Sequence, residues 1–246
     1  MRYAILISGI LLLAVHTQAQ KHDRQWVFPV SAGIDWNDSL NPVTYNGAPQ
    51  VNQAMTTASI ADSAGNLLFY AQGFAFATAG GRVYNRLHQT MLNGDSILGD
   101  PWCNNAFIIL PAPNQSNKFY LITATRSSST GYAFIYYSII DMTGDGGLGE
   151  VISRDNTTIN EEMNEKISAC KHANGRDWWI ITSATVNDHF NIFLLDPTGF
   201  NLHHQQTIGP PTTNGFYGSS VFTRDGSKFI SLSLSTSSIN IFDFDR

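Results

Sequence analysis

One turn-and-strand unit occurs four times in this chain. Asp62-Ser-Ala-Gly-Asn-Leu-Leu-Phe-Tyr70 is followed by Asn114-Gln-Ser-Asn-Lys-Phe-Tyr-Leu-Ile122, Asn174-Gly-Arg-Asp-Trp-Trp-Ile-Ile181 and Asp225-Gly-Ser-Lys-Phe-Ile-Ser-Leu232, the units starting 52, 60 and 51 residues apart. Each is a polar turn that opens directly into an apolar strand. A period of about 50 residues with a tight turn in every unit marks radially repeated antiparallel sheets. One such unit cannot bury both of its faces alone, so neighbours must stack.

The flanking sequence extends the unit. Runs rich in Ile, Phe, Tyr, Val and Thr precede the turns at residues 57–61, 106–110, 167–171 and 219–223. Third runs follow at 82–85, 133–140, 190–195 and 238–244, and fourth runs at 96–98, 149–152 and 205–208. Gly, Asn, Asp and Pro separate them, as they separate short strands. The pattern predicts an all-β β-propeller of four-stranded blades, with units near residues 55–100, 105–155, 166–210 and 218–246, the last incomplete. Two arrangements fit the incomplete unit. The ring is truncated, which is the expectation, or the N-terminal strands at 26–30 and 42–45 complete the last blade and close four blades. No stretch after residue 20 shows a helical period. Residues 161–166 are expected to form a solvated connection between blades.

Only 13% of residues are charged and the net charge is −5, with no Lys/Arg cluster. Electrostatic nucleic-acid binding needs a basic face, so that class is excluded. Residues 1–19 carry the order of a signal peptide: Arg2, an apolar run over 3–15, then Thr17-Gln-Ala19 with a small residue at the cut. The apolar run is shorter than the roughly 20 residues a spanning helix needs. The mature chain, from about Gln20, is expected to be secreted or displayed at the outer cell surface, with no integral membrane segment.

Each candidate for chemistry competes with a structural role. Asp141, Asp145 and Gly146 match part of a calcium-loop pattern, but Ile152 stands where the closing Glu belongs. His172, beside its turn, is placed to face a central channel, while His203 and His204 are expected in solvent. Trp178 and Trp179 are adjacent on one strand and so point to opposite faces; with Trp102 they are expected in the core. Asp62, Asp177 and Asp225, like Asn114 and Asn174, occupy turns, where such side chains cap their own backbone. Cys103 and Cys170 lack His at ligand spacing for zinc, and whether they pair is open. No Gly-x-Ser-x-Gly or His-Glu-x-x-His motif occurs. The sequence therefore assigns no catalytic, cofactor or metal residue.

An ordered series of segments resembles the N-terminal propeller (WD40-like) region of secreted Bacteroidota surface proteins of the type IX secretion and gliding-motility type. These segments are Trp26-Val-Phe-Pro-Val-Ser-Ala-Gly-Ile-Asp-Trp36, Ala58 to Tyr70, Val83 to Gly94, Tyr137 to Met142 with Gly146 to Glu150, Glu165 to Trp179, Asp225-Gly-Ser-Lys228 and Phe242-Asp-Phe-Asp245. The resemblance implies a larger surface protein with further modules and carries no catalytic residues with it. The expectation is a non-enzymatic binding or scaffold module whose partner is an unknown protein or glycan. The alternative is a propeller-type polysaccharide hydrolase or lyase.

Overall fold

A computed structural model describes residues 21–28, 31–46, 56–74, 80–100, 105–126, 133–184, 189–209, 218–233 and 237–246. The chain is all-β and forms five antiparallel sheets, each a meander of three or four consecutive strands. Sheet one holds β1 (Gln25–Phe28), β2 (Ala32–Asp35) and β3 (Val43–Asn46). Sheet two holds β4 (Thr57–Ala61), β5 (Leu67–Phe74) and β6 (Gly80–Asn85). Sheet three holds β7 (Phe107–Pro111), β8 (Lys118–Arg126), β9 (Ala133–Asp141) and β10 (Glu150–Asn156). Sheet four holds β11 (Ser168–Lys171), β12 (Trp178–Ser183), β13 (His189–Asp196) and β14 (Gly199–Thr207). Sheet five holds β15 (Gly218–Phe222), β16 (Lys228–Ser233) and β17 (Ser238–Asp243).

The hydrophobic pattern explains the order within a sheet. Second strands such as β8 and β12 read as near-continuous apolar runs because both of their faces are covered. The last strand of sheet four, β14, is mostly exposed and reads Asn-Leu-His-His-Gln-Gln. In sheet two the fourth run does not become a strand. Residues 86–98 instead touch β6 through isolated bridges, Tyr84 to Thr90 and Gly81 to Ile97. His88, Asn93 and Ser96 there adopt positive φ, which interrupts an extended ladder.

One alternative and one expectation need correction. The alternative in which the N-terminal strands complete the last sheet does not hold: β1, β2 and β3 pair with one another as a sheet of their own. Nor is the 161–166 connection solvated, since Met163, Asn164, Glu165 and Lys166 are buried. Met163 bridges the start of β9 to Ala184, and this pins the segment between sheets three and four.

Successive sheets pack face to face in one sense. Val27 of sheet one meets Tyr70 and Tyr84 of sheet two. Phe69 of sheet two meets Phe119 of sheet three edge-on at 5.4 Å, and Tyr137 of sheet three meets Phe200 of sheet four at 5.5 Å. Phe190 of sheet four meets Phe229 and Phe242 of sheet five at 5.6 and 5.4 Å. Sheets two, three and four thus each show a forward face to the next sheet and a back face to the one before. Alternation along the strands assigns each residue to one or the other.

Candidate functional site

The first strands of all five sheets contribute to the wall of one cavity of about 490 Å³. Its polar groups are Thr56, Thr57, Asn105, Ser168 and Ser220, set among apolar side chains that include Phe28, Phe107 and Val221. None of the described lining residues ionises. Asn105 ties three sheets together here. It sits at φ 55°, its carbonyl accepts the Ile167 N–H at 3.3 Å, and its amide donates to Ser219 Oγ at 3.0 Å and the Ser220 carbonyl at 3.3 Å. The Thr57 hydroxyl donates to the Val27 carbonyl at 2.8 Å. The buried Ser220 hydroxyl has no hydrogen-bond partner, so it is a polar group in the wall still open to one.

Charge gathers just before β11 and outside the lining. Arg126 lies 3.2 Å from the Asp100 carboxylate and 3.5 Å from that of the buried Glu165. Lys166 donates to the Leu232 carbonyl at 3.0 Å. Burial lowers its pKa from the ordinary lysine range, and Glu165 opposes that shift. A buried carboxylate held by an arginine restrains the chain where β11 begins.

The repeat turns lie at the other end of the first strands, and most of their polar side chains serve the turns themselves. Asp62 accepts the N–H groups of Ala64 and Asn66 at 2.8 and 2.9 Å, and Asn174 accepts those of Arg176 and Asp177 at 2.9 and 3.0 Å. Asp225 accepts the Ser227 N–H at 3.1 Å and the Thr223 hydroxyl at 2.6 Å, which holds its carboxyl down to about 2. Asp177 takes a two-pronged bond from Arg176 at 2.7 and 2.8 Å. Asn114 adopts φ 60°. Asp62, Asn114 and Arg176 line a depression of about 540 Å³, with Lys171 beside them.

The remaining candidates are dispersed. His172 does not reach the central cavity; it stacks on Trp179 at 5.1 Å, and its Nδ1 accepts the Asn174 N–H. Trp178 faces the other way, donates to the Pro111 carbonyl at 3.1 Å and carries the Lys171 ammonium 3.8 Å above its ring. His203 and His204 are exposed. Asp141 accepts the N–H and hydroxyl of Thr143, and no cluster of three or more metal-ligating side chains forms among the described residues. Cys170 is a free, buried thiol, pushed up to about 11 by burial. Residues 1–20 and 101–104, with the segment expected to be a signal peptide, Trp102 and Cys103, lie outside the described residues. Among the described residues no helix is long and apolar enough to cross a membrane.

No family model and no curated protein matches this chain. Among solved structures it is similar to a functionally unknown protein from Desulfotomaculum acetoxidans, at 15% identity and TM-score 0.47, over 90% of this chain and 62% of that one. It therefore spans less than two thirds of that protein's length. It is also similar to the hydrazine synthase of Kuenenia stuttgartiensis, at 9% identity and TM-score 0.35, over 96% of this chain and 99% of that one. Similarities this weak carry no function across.

Thr57, Asn105 and Ser220 belong to no motif, and sequence reading passed them over. Their one signal is distance: each lies five to nine residues before its repeat turn, in or just before a first strand.

Proposed function

We propose that this chain is a β-propeller region that acts as a non-enzymatic binding module, exported through residues 1–19 and displayed at the cell surface as part of a larger protein. Its partner on this reading is a glycan or protein that offers neutral hydrogen-bonding groups. The observation that carries it is the cavity at the meeting of five first strands, lined by hydroxyl, amide and aromatic groups without an ionisable side chain among those described. Such walls orient a ligand through hydrogen bonds and apolar contact but offer no acid or base to move a proton. The alternative, a polysaccharide hydrolase or lyase, needs two opposed carboxylates, and Asp62, Asp177 and Asp225 are engaged within their own turns.

A glycan array combined with a panel of chromogenic glycosides tests this reading. The expected result is binding without turnover, weakened by Asn105→Leu, which removes the side-chain amide that ties the start of sheet three to sheet five beside the cavity. Turnover abolished by Asp62→Asn or Asp177→Asn would establish the enzymatic alternative.

A further inference from the structure

The turns that close the first strands of sheets two, three and four converge on the depression of about 540 Å³. Leu68, Pro111 and Phe119 give it apolar walls, and the exposed Ser63, Ser116 and Asn117 add hydroxyl and amide groups. Its four titratable groups are unequally served. Asp62 accepts the Ala64 and Asn66 N–H groups and the Asn66 side-chain amide, all within its own turn. The His22 Nδ1 is taken up by the Ala61 carbonyl at 2.5 Å. Arg176 gives Nε and Nη2 to Asp177, which leaves Nη1 and the outer edge of its planar fork unused. Lys171 differs from all three. Its ammonium stands 3.1 Å from the Arg176 carbonyl and 3.8 Å above the Trp178 ring, and neither is an anion. It makes no ion pair among the described residues. Burial lowers its pKa from the ordinary lysine range, and Asp177 opposes that shift only in part. A partly buried ammonium without a counter-ion is stabilised by an anion placed beside it.

The surroundings narrow the kind of anion. Asp62 and Asp177 stand close by, so a dianion such as a phosphate monoester meets more repulsion than a group with a single charge. The unused edge of Arg176 is a planar pair of donors, the match for the two oxygens of a carboxylate. Apolar walls beside hydroxyl and amide groups suit a sugar ring, and the volume lies in the range of small-ligand sites. We propose that this depression binds the uronate units of an acidic glycan, with the carboxylate held by Lys171 and Arg176 and the ring hydroxyls by Ser63, Ser116 and Asn117. The inference rests on the reading of the chain as a binding module. It adds a charged subsite at the opposite end of the first strands from the neutral cavity.

Calorimetric titration of the whole chain tests it, with short oligogalacturonate and oligoglucuronate as probes beside the same oligomers methyl-esterified at their carboxyl groups. At least one acid form should bind, and its ester should bind about 10-fold more weakly or worse, as for loss of a charged hydrogen bond. Lys171→Met keeps an apolar stem on Trp178 and removes the charge. It should weaken the acid form about 10-fold or more and leave the ester unaffected. Lys171→Arg, which restores the charge, should recover most of that loss, and melting temperatures check the fold of both variants. Asn105→Leu, at the central cavity, should leave uronate binding unchanged, so a failure of the neutral site and a failure here are read separately. No binding of either acid form, equal binding of acid and ester, or a Lys171→Met variant that binds like the parent overturns the proposal. So does Lys171-dependent binding of polyglutamate or of a sulfated glycan where the uronates do not bind; the first would make the partner an acidic protein.

Discussion

Sheets four and five place their residues in the same rows at the same distance from the same turn, and their forward faces have opposite fates. Ile181 and Ile192 are buried under Phe229 and Phe242, whereas Leu232 and Ile239, their counterparts, have no such cover. Local sequence is equally apolar in the two cases. Alternation decides which face a side chain takes; burial is decided by the sheet that arrives next. The comparison also separates two kinds of apolar residue that composition treats alike, those that hold neighbouring sheets together and those exposed on the forward face of sheet five.

The largest difference should appear on truncation. Phe229→Ala empties the contact between sheets four and five, where the ring packs against Phe190, Phe222 and Phe242. It should cost about 3–5 kcal/mol. Ile241→Ala, on the face turned away from sheet four, should stay within about 0.5 kcal/mol in dilute solution. Urea denaturation of the two variants measures the gap, and equal losses would show that sheet five is covered on both faces.

A smaller effect is expected at the joint between the two sheets. Gly218 has φ +149°, and a Cβ there would stand 2.1 Å from the Leu232 carbonyl and 2.8 Å from the Lys166 ammonium. Gly218→Ala should therefore displace the Lys166 bond and destabilise by about 1–3 kcal/mol. Thermal unfolding reads the loss, and an unchanged midpoint would mean that β15 relaxes freely.

Thiol chemistry compares equivalent positions directly. In a Cys103→Ser background, Cys170 should react with iodoacetamide at pH 8 about 100-fold more slowly than in urea, since burial raises its pKa to about 11. Val221→Cys places a thiol at the matching position of sheet five, and in a Cys103→Ser, Cys170→Ser background it should react at nearly the unfolded rate. Equal protection of the two thiols would erase the contrast between the sheets.

The smallest effect belongs to the turn of sheet five. The Asp225 pKa is lowered to about 2 by the Thr223 hydroxyl and Ser227 N–H. A folded pKa below the unfolded one stabilises at pH above about 4, and the gain disappears as pH falls towards 2. Asp225→Asn should flatten that part of the stability–pH curve, lowering stability slightly at pH 7, where the gain is fully present, and leaving it nearly unchanged at pH 2. An NMR titration that places this carboxyl near 4 would remove the effect.

Much of this was legible in the chain. The run at residues 57–61 is β4, and the other runs before the turns fall within a residue or two of β7, β11 and β15. The opposition of Trp178 and Trp179 followed from strand geometry alone. The capping roles of Asp62, Asn174 and Asp225 followed from turn chemistry. Sheet one was harder to see, because no Asp-Gly or Asn-Gly turn joins β1 to β2; Ser31 makes that turn at φ 65°. The buried Glu165 and Lys166 were misplaced because charge usually marks solvent, and the Arg126 and Leu232 carbonyl partners that permit burial lie far away in sequence. Asn105 and Ser220 carry no local signal, since their significance is a hydrogen bond between residues more than a hundred positions apart.

By itself the sequence determined the all-β character, the repeat, the turns and the side of the strand on which each residue lies. These depend on backbone preferences and alternation over a few residues. The tertiary structure alone decided which faces are covered, that five first strands share one cavity, and that Val221 is exposed where Cys170 is buried. Those outcomes depend on which sheet lies against which, and packing between distant segments leaves no trace in any short stretch of chain.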